Sequence, residues 1–228
     1  MLHFANSTSG VPTSFLRRQI GLSHKAAFRM ADRIRVHLAA LDFGSRVGMA
    51  VELVDVRVVY LSGIHTAPFP TRGSARAVIL GDANSVQATV IGRPRRHSVK
   101  AIIADKVAEG AIPVTTCRYT YRVLTEFGSR RPAVVFVPEV PGGSAGGGNP
   151  VESFLAYLRK PMHSTYRRVG YTNLWKYLKE FEFFYNRRAR SHTTFWDMIG
   201  NFPQVTTQQC LKLEAWSSRI DQPVHAAG

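Results

Sequence analysis

Val51-Glu52-Leu53-Val54-Asp55-Val56-Arg57-Val58-Val59-Tyr60 is the segment on which the fold turns. It is rich in valine and reads as a buried strand. Asp55 interrupts it, and a carboxylate there is costly to bury unless a cation faces it. That cation is either a bound metal or a basic side chain such as Arg57. Glu52 is the alternative ligand if the register differs. The segment opens residues 46–140, where the apolar period changes from helical to strand-like. Residues 77–80 and 86–91 read as two strands joined at Gly81-Asp82-Ala83-Asn84. Residues 98–108 read as a helix with Ile102, Ile103 and Val107 on one face. A short strand at 112–115, a short helix and a strand at 133–137 follow. This order predicts an α+β or α/β fold: a mixed five-stranded sheet with flanking helices.

Helices bracket the sheet region. Residues 12–39 read as two helices with a tight turn. Thr13 or Ser14 is expected to cap the first, with Phe15, Leu16 and Ile20 facing inward. Gly21 is expected to end it in the left-handed conformation, and Ser23 to cap the second. Ala27, Met30, Ala31, Ile34 and Leu38 give the second helix its apolar face, while Lys25, Arg29 and Arg33 fall on another. This is the pattern of a helix-turn-helix, and equally of an ordinary helical hairpin. After the Gly-rich loop at 141–149, Asn149 caps and Pro150 begins a helix carrying Leu155, Leu158 and Met162. Tyr171, Leu174, Trp175, Leu178, Phe181 and Tyr185 form the core stripe of the next helix, and residues 193–199 read as another.

Composition narrows the function classes. The chain has 228 residues, with 30 Lys+Arg against 15 Asp+Glu and a net charge of +15. Its 45% hydrophobic content excludes a disordered basic tail. The charge points to a polyanion, either nucleic acid or an acidic membrane surface. Two cysteines, Cys117 and Cys210, lack metal-ligand spacing and cannot form a disulfide framework. No signal-peptide core or membrane-spanning run is present in the sequence, so a cytoplasmic, nucleoid-associated protein with no membrane partner is expected.

The C-terminal residues carry a resemblance. Asn149-Pro150-Val151-Glu152-Ser153-Phe154, Leu158-Arg159-Lys160, Thr165-Tyr166, residues 174–177, Glu180-Phe181 and Tyr185-Asn186-Arg187-Arg188 resemble the C-terminal signature of bacterial insertion-sequence transposases of the ISXO type, in the DDE class. Gly10-Val11, Leu16, Gln19-Ile20-Gly21-Leu22-Ser23, Lys25-Ala26-Ala27, Arg29-Met30 and Arg33-Ile34-Arg35 are similar to the helix-turn-helix of that family. The likeness covers most of residues 10–200. It implies a ribonuclease-H-like sheet at 46–200, a helix-turn-helix at 1–45 and a tail at 201–228. It also implies double-stranded DNA as partner, a homo-oligomer on DNA, and Mg²⁺ or Mn²⁺ as cofactor. The family's zinc ribbon, with its Cys-x-x-Cys pairs, has no counterpart, so a truncated copy is expected.

The implied chemistry needs carboxylates at fixed places. Two divalent ions about 3.5–4 Å apart stabilise the attacking and leaving oxygens of a phosphodiester. Asp55 matches the first catalytic Asp and Glu152 the last acidic position, making these two the expected metal ligands, with Asn149 beside them. The second Asp is missing: Thr116 stands in its place and Cys117 in that of its acidic neighbour. A hydroxyl does not replace a bridging carboxylate, so metal affinity and cleavage are expected to be badly reduced. Expected DNA contacts are Lys25, Arg29 and Arg33, then Arg159, Lys160, Arg167, Arg168, Arg187 and Arg188. Lys176, Lys179 and Arg190 extend the same basic strip, and Arg72, Arg93, Arg95 and Arg96 make a second cluster. Tyr166 and Tyr171 either stack on bases or pack in the core.

Three functions are then open. One is an active transposase. Another is a transposase-derived DNA-binding protein without nuclease activity. The third is a helix-turn-helix regulator with an unrelated α/β domain. The discriminator is whether Asp55, Thr116 and Glu152 converge at one edge of the sheet: if Asp55 and Glu152 lie on opposite sides, the first two readings fail and the third gains.

Overall fold

Val54, Val56 and Val58 alternate with Asp55, Arg57 and Val59 along β1 (Leu53–Leu61), so the strand shows two different faces. The computed structural model describes residues 1–7, 9–42, 44–61, 75–91, 96–125, 134–137, 149–166, 169–190, 192–200 and 202. Three helices precede β1: α1 (Leu2–Ala5), α2 (Thr13–Ile20) and α3 (His24–Leu41). Then come β2 (Ala75–Gly81), β3 (Val86–Ile91), α4 (Arg96–Lys106), β4 (Ile112–Thr115), α5 (Arg118–Thr125) and β5 (Val135–Phe136). The chain continues through α6 (Pro150–Ser164), α7 (Tyr171–Asn186) and α8 (Thr194–Gly200).

The five strands form one mixed sheet in the order β3-β2-β1-β4-β5. β1, β2 and β3 are antiparallel neighbours, while β4 runs parallel to β1 and β5 parallel to β4. A parallel neighbour needs a crossover, and α4 and α5 lie in the two connections. The expected fold class, a mixed five-stranded sheet with flanking helices, is what forms.

Each sheet face has its own core. Val54, Val56 and Val58 join Val78, Leu80, Val99, Ile102, Ile103 and Val107 on the α4 side. On the other face Ala77, Ile79, Val86, Ala88 and Val90 pack under Phe154, Leu158 and Met162 of α6 and under Leu174, Leu178, Phe181 and Tyr185 of α7. The stripe read on α7 is therefore core, as is Tyr166, whose hydroxyl accepts from Val11 N at 2.6 Å. The side chain of Tyr171 lies outside the described residues.

The helical hairpin forms with its expected stops. Gly21 has φ 70° and ends α2, and the Ser23 side chain accepts from Ala26 N at 3.2 Å. Three details differ. Pro12, extended, precedes α2, and neither Thr13 nor Ser14 caps it. Ile20 is 48% exposed and Met30 37% exposed, so the inward face is Leu16, Ala27, Ala31, Ile34 and Leu38. Ile20 ends α2 beside the turn, and Met30 lies off the face of α3 that packs against α2 and α7.

α7 also seals the edge of the sheet. β3 is an end strand, so part of its backbone lacks a strand partner. Asn186 Oδ1 accepts from Val86 N at 2.8 Å and its Nδ2 donates to Val86 O at 3.0 Å. Glu182 Oε2 accepts from Ala88 N at 2.7 Å. Lys179 donates to the Glu182 carboxylate at 2.7 Å. Among the described residues no helix is long and apolar enough to cross a membrane.

Candidate functional site

Asp55 sits in the middle of the sheet, opposite Gly81 of β2 on one side and Val114 of β4 on the other. Gly81 matters because the start of α6 comes down over it. A Cβ at Gly81 would stand 3.0 Å from Val151 Cγ2 and 3.4 Å from Pro150 Cβ. The missing side chain lets the helix N-terminus reach Asp55. Tyr185 donates to Pro150 O at 3.3 Å from the other side.

Asn149 joins helix to sheet. Its Oδ1 caps α6 by accepting from Val151 N at 2.9 Å and Glu152 N at 3.2 Å. That leaves its amide nitrogen facing β1, where it donates to Asp55 Oδ2 at 2.9 Å. Glu152, one turn in, carries its carboxylate near the same helix end. Thr116 follows β4 and lies on the same face as Asp55.

Arg57 holds these groups together. It is two residues beyond Asp55 and therefore projects from the same face of β1. Its Nε donates to Asp55 Oδ2 at 2.9 Å, Nη1 to Glu152 Oε1 at 2.8 Å and Nη2 to Thr116 Oγ1 at 2.8 Å. The Arg57 side chain is 13% exposed, Asp55 9% and Glu152 58%. Burial acts to lower the Arg57 pKa, but the charges and hydrogen bonds of Asp55 and Glu152 outweigh it and raise the value. Asp55 Oδ1 is buried with no hydrogen-bond partner among the described residues. Glu52 stays outside the group, with Oε2 accepting from Met49 N at 2.8 Å.

Asp55, Thr116, Asn149 and Glu152 thus meet at one place, but not in the form that the metal chemistry requires. Two carboxylates, a neutral hydroxyl and a guanidinium offer little net negative charge. Divalent magnesium takes hard oxygen ligands that are free to coordinate it. Here Asp55 Oδ2, Glu152 Oε1 and Thr116 Oγ1 already accept from Arg57. Among the described residues no group of three or more His, Cys, Asp and Glu could hold a metal ion. The residues present do not fit a two-metal centre.

Cys117 adds a second departure. Its carbonyl accepts from Tyr121 N at 3.0 Å, so it stands at the start of α5. Burial acts to raise its thiol pKa, yet hydrogen bonds from Thr120 and Tyr119 and the Arg57 charge lower it overall.

The basic residues divide into two groups. Lys25, Arg29 and Arg33 are exposed on α3, one turn apart along a single face. Arg159 and Lys160 are exposed on α6. Arg188 is exposed as well, with its guanidinium 4.0 Å from the Tyr185 ring. Arg187, expected to contact DNA, is instead engaged with Asp42 through two bonds of 2.8 Å and lies 3.7 Å over Phe183. Lys176 contacts Asp32 at 3.0 Å and Lys179 contacts Glu182. These three cations face inward because α7 is packed between sheet and α3. Arg167, Arg168, Arg72, Arg93 and Arg95 and the side chain of Arg96 lie outside the described residues.

The linking role of Arg57 is the part that sequence reading missed. Its signal was an Arg two places after a strand Asp, which puts both on one face. The role of Gly81 had no comparable signal, because it depends on where α6 lands. Compared with protein-family models, curated proteins and solved structures, the chain matches none.

Proposed function

We propose that this chain is a duplex-DNA-binding protein of transposase ancestry that has lost strand cleavage. One observation carries the reading. Asp55, Thr116, Asn149 and Glu152, singled out by the resemblance, come together at the start of α6 around Arg57. A regulator with an unrelated α/β domain gives no reason for these four positions to meet. The strand order β3-β2-β1-β4-β5, antiparallel through β1 and parallel beyond it, supports the ribonuclease-H-like assignment. Loss of cleavage follows from Thr116, which leaves no bridging carboxylate, and from Arg57, whose guanidinium lies between the carboxylates.

Lys25, Arg29 and Arg33 support the DNA contact. They line the outward half of α3, next to its N-terminus, the end that a recognition helix presents to base edges. Arg159, Lys160 and Arg188 supply phosphate contacts without sequence choice. The net charge of +15 favours both. Fluorescence anisotropy with a labelled duplex tests the binding, and log affinity should fall steeply and linearly with log salt. An affinity independent of salt overturns the DNA reading. Incubation of a labelled duplex with Mg²⁺ or Mn²⁺ tests the lost chemistry. Wild-type protein is expected to leave the strand intact, and nicking by wild type at the rate of its Thr116→Asp variant overturns the loss.

A further inference from the structure

We propose that Arg57 is the resident cation of the Asp55–Glu152 site: its guanidinium ties α6 to the sheet and closes the carboxylates to divalent metal. Three of its nitrogens each face a different element. Asp55 lies on β1, Thr116 follows β4, and Glu152 is on α6, at 2.8–2.9 Å from the guanidinium. A planar fork with fixed donors suits this arrangement better than a point charge does. The Arg57 side chain is 13% exposed and Asp55 9%, so their attraction is weakly screened, while Glu152, 58% exposed, stands open to water. Asn149 completes the arrangement by holding Asp55 Oδ2 and the helix end at once. A divalent ion at this place would have to displace a hydrogen-bonded, partly buried arginine.

Two consequences follow. The α6 N-terminus is held without metal, so fold and ligand binding are indifferent to chelators. The carboxylates are latent ligands, and removing the guanidinium exposes them. Asp55 Oδ1, which faces no donor among the described residues, is available at once. Arg57 fills the site whether or not DNA is the partner.

The test is Mn²⁺ binding to the full chain, followed by electron paramagnetic resonance of the free ion. Wild type is expected to show no stoichiometric site up to millimolar Mn²⁺. Arg57→Gln is expected to bind about tenfold more tightly or better, the least that removing a unit positive charge beside a dication implies. Arg57→Gln with Asp55→Asn is expected to lose the gain. Equal binding by wild type and Arg57→Gln overturns the proposal. Thermal unfolding of wild type gives an answer even if Arg57→Gln does not fold. Its Tm should not respond to Mn²⁺ or EDTA at matched ionic strength. A Mn²⁺-dependent rise in Tm that Asp55→Asn abolishes overturns the proposal. Duplex affinity measured in EDTA separates the two readings. DNA binding alongside a wild-type Mn²⁺ site rejects only the role of Arg57. No DNA binding and no Mn²⁺ site rejects only the DNA reading.

Discussion

Asp55 and Arg57 show how a two-residue spacing on a strand becomes a built site. Alternation puts both side chains on one face, and the sheet then brings Thr116 and α6 to them. The same dependence on surroundings governs Tyr157. It lies against Phe181 and Tyr185, and burial, then the Glu180 charge, push its phenol up to about 12. The folded pKa lies above that of the unfolded chain, so the stabilisation is complete below about pH 10. It is lost as pH rises through the folded value. Denaturant unfolding between pH 9 and 11.5 should therefore show falling stability, less steeply in Tyr157→Phe. Parallel curves for the two proteins would contradict the assignment. Asp55 was legible as a buried strand carboxylate needing a cation. That the cation is Arg57 was one of two stated options, and only packing decided it.

At the scale of elements, α6 and α7 do different work. α6 presents its N-terminus to β1, which requires Gly81 beneath Pro150 and Val151. Gly81→Val should push the helix end away and break the contact of Asn149 with Asp55. We expect a loss of about 2–4 kcal/mol, typical of overpacking combined with a lost buried polar contact. A variant with unchanged thermal midpoint would show that α6 does not approach so closely. α7 instead runs along β3 and meets its open backbone groups with Glu182 and Asn186. Asn186→Ala leaves Val86 N and O unsatisfied and should cost about 1–3 kcal/mol. The urea midpoint should fall with unchanged slope. An unmoved midpoint would mean water serves the edge equally well. The apolar stripe of α7 was legible from its period. Its edge-sealing was not, because a Glu and an Asn on a helix read as surface residues until the neighbouring strand is known.

At the scale of the molecule, a buried ion pair binds α3 to α7, the helix that covers the sheet. Arg35 Nε donates to Glu180 Oε2 at 2.6 Å, with the side chains 1% and 0% exposed. Tyr166 donates to Glu180 Oε1 at 3.0 Å, and the Arg35 guanidinium lies 4.1 Å from the Tyr177 ring. Burial acts to lower Arg35, and Glu180 with the two tyrosines outweighs it and raises the value. Lys176 with Asp32 and Arg187 with Asp42 repeat the link at either end of the α3–α7 contact. Arg35→Met leaves Glu180 buried without its cation and should cost about 3–5 kcal/mol. Arg35→Met with Glu180→Leu removes both charges and should recover much of that. A double variant as unstable as the sum of the singles would show that the pair is not coupled.

Local pattern determined the helices, the strands, the hairpin stops at Gly21 and Ser23, and the cap at Asn149. Each depends on neighbours within a few residues, where period, left-handed backbone and capping chemistry act. That a threonine and not a carboxylate follows β4 was legible for the same reason, since it needs only an identity at a position. Tertiary structure alone decided which charges face water and which face each other. Lys176, Lys179 and Arg187 look like a DNA-facing strip until α3 and β3 pack on them, and Arg57 becomes the centre of the site only when β1, β4 and α6 converge. Coulomb attraction and desolvation depend on distance in space, and the chain order carries that distance only within an element.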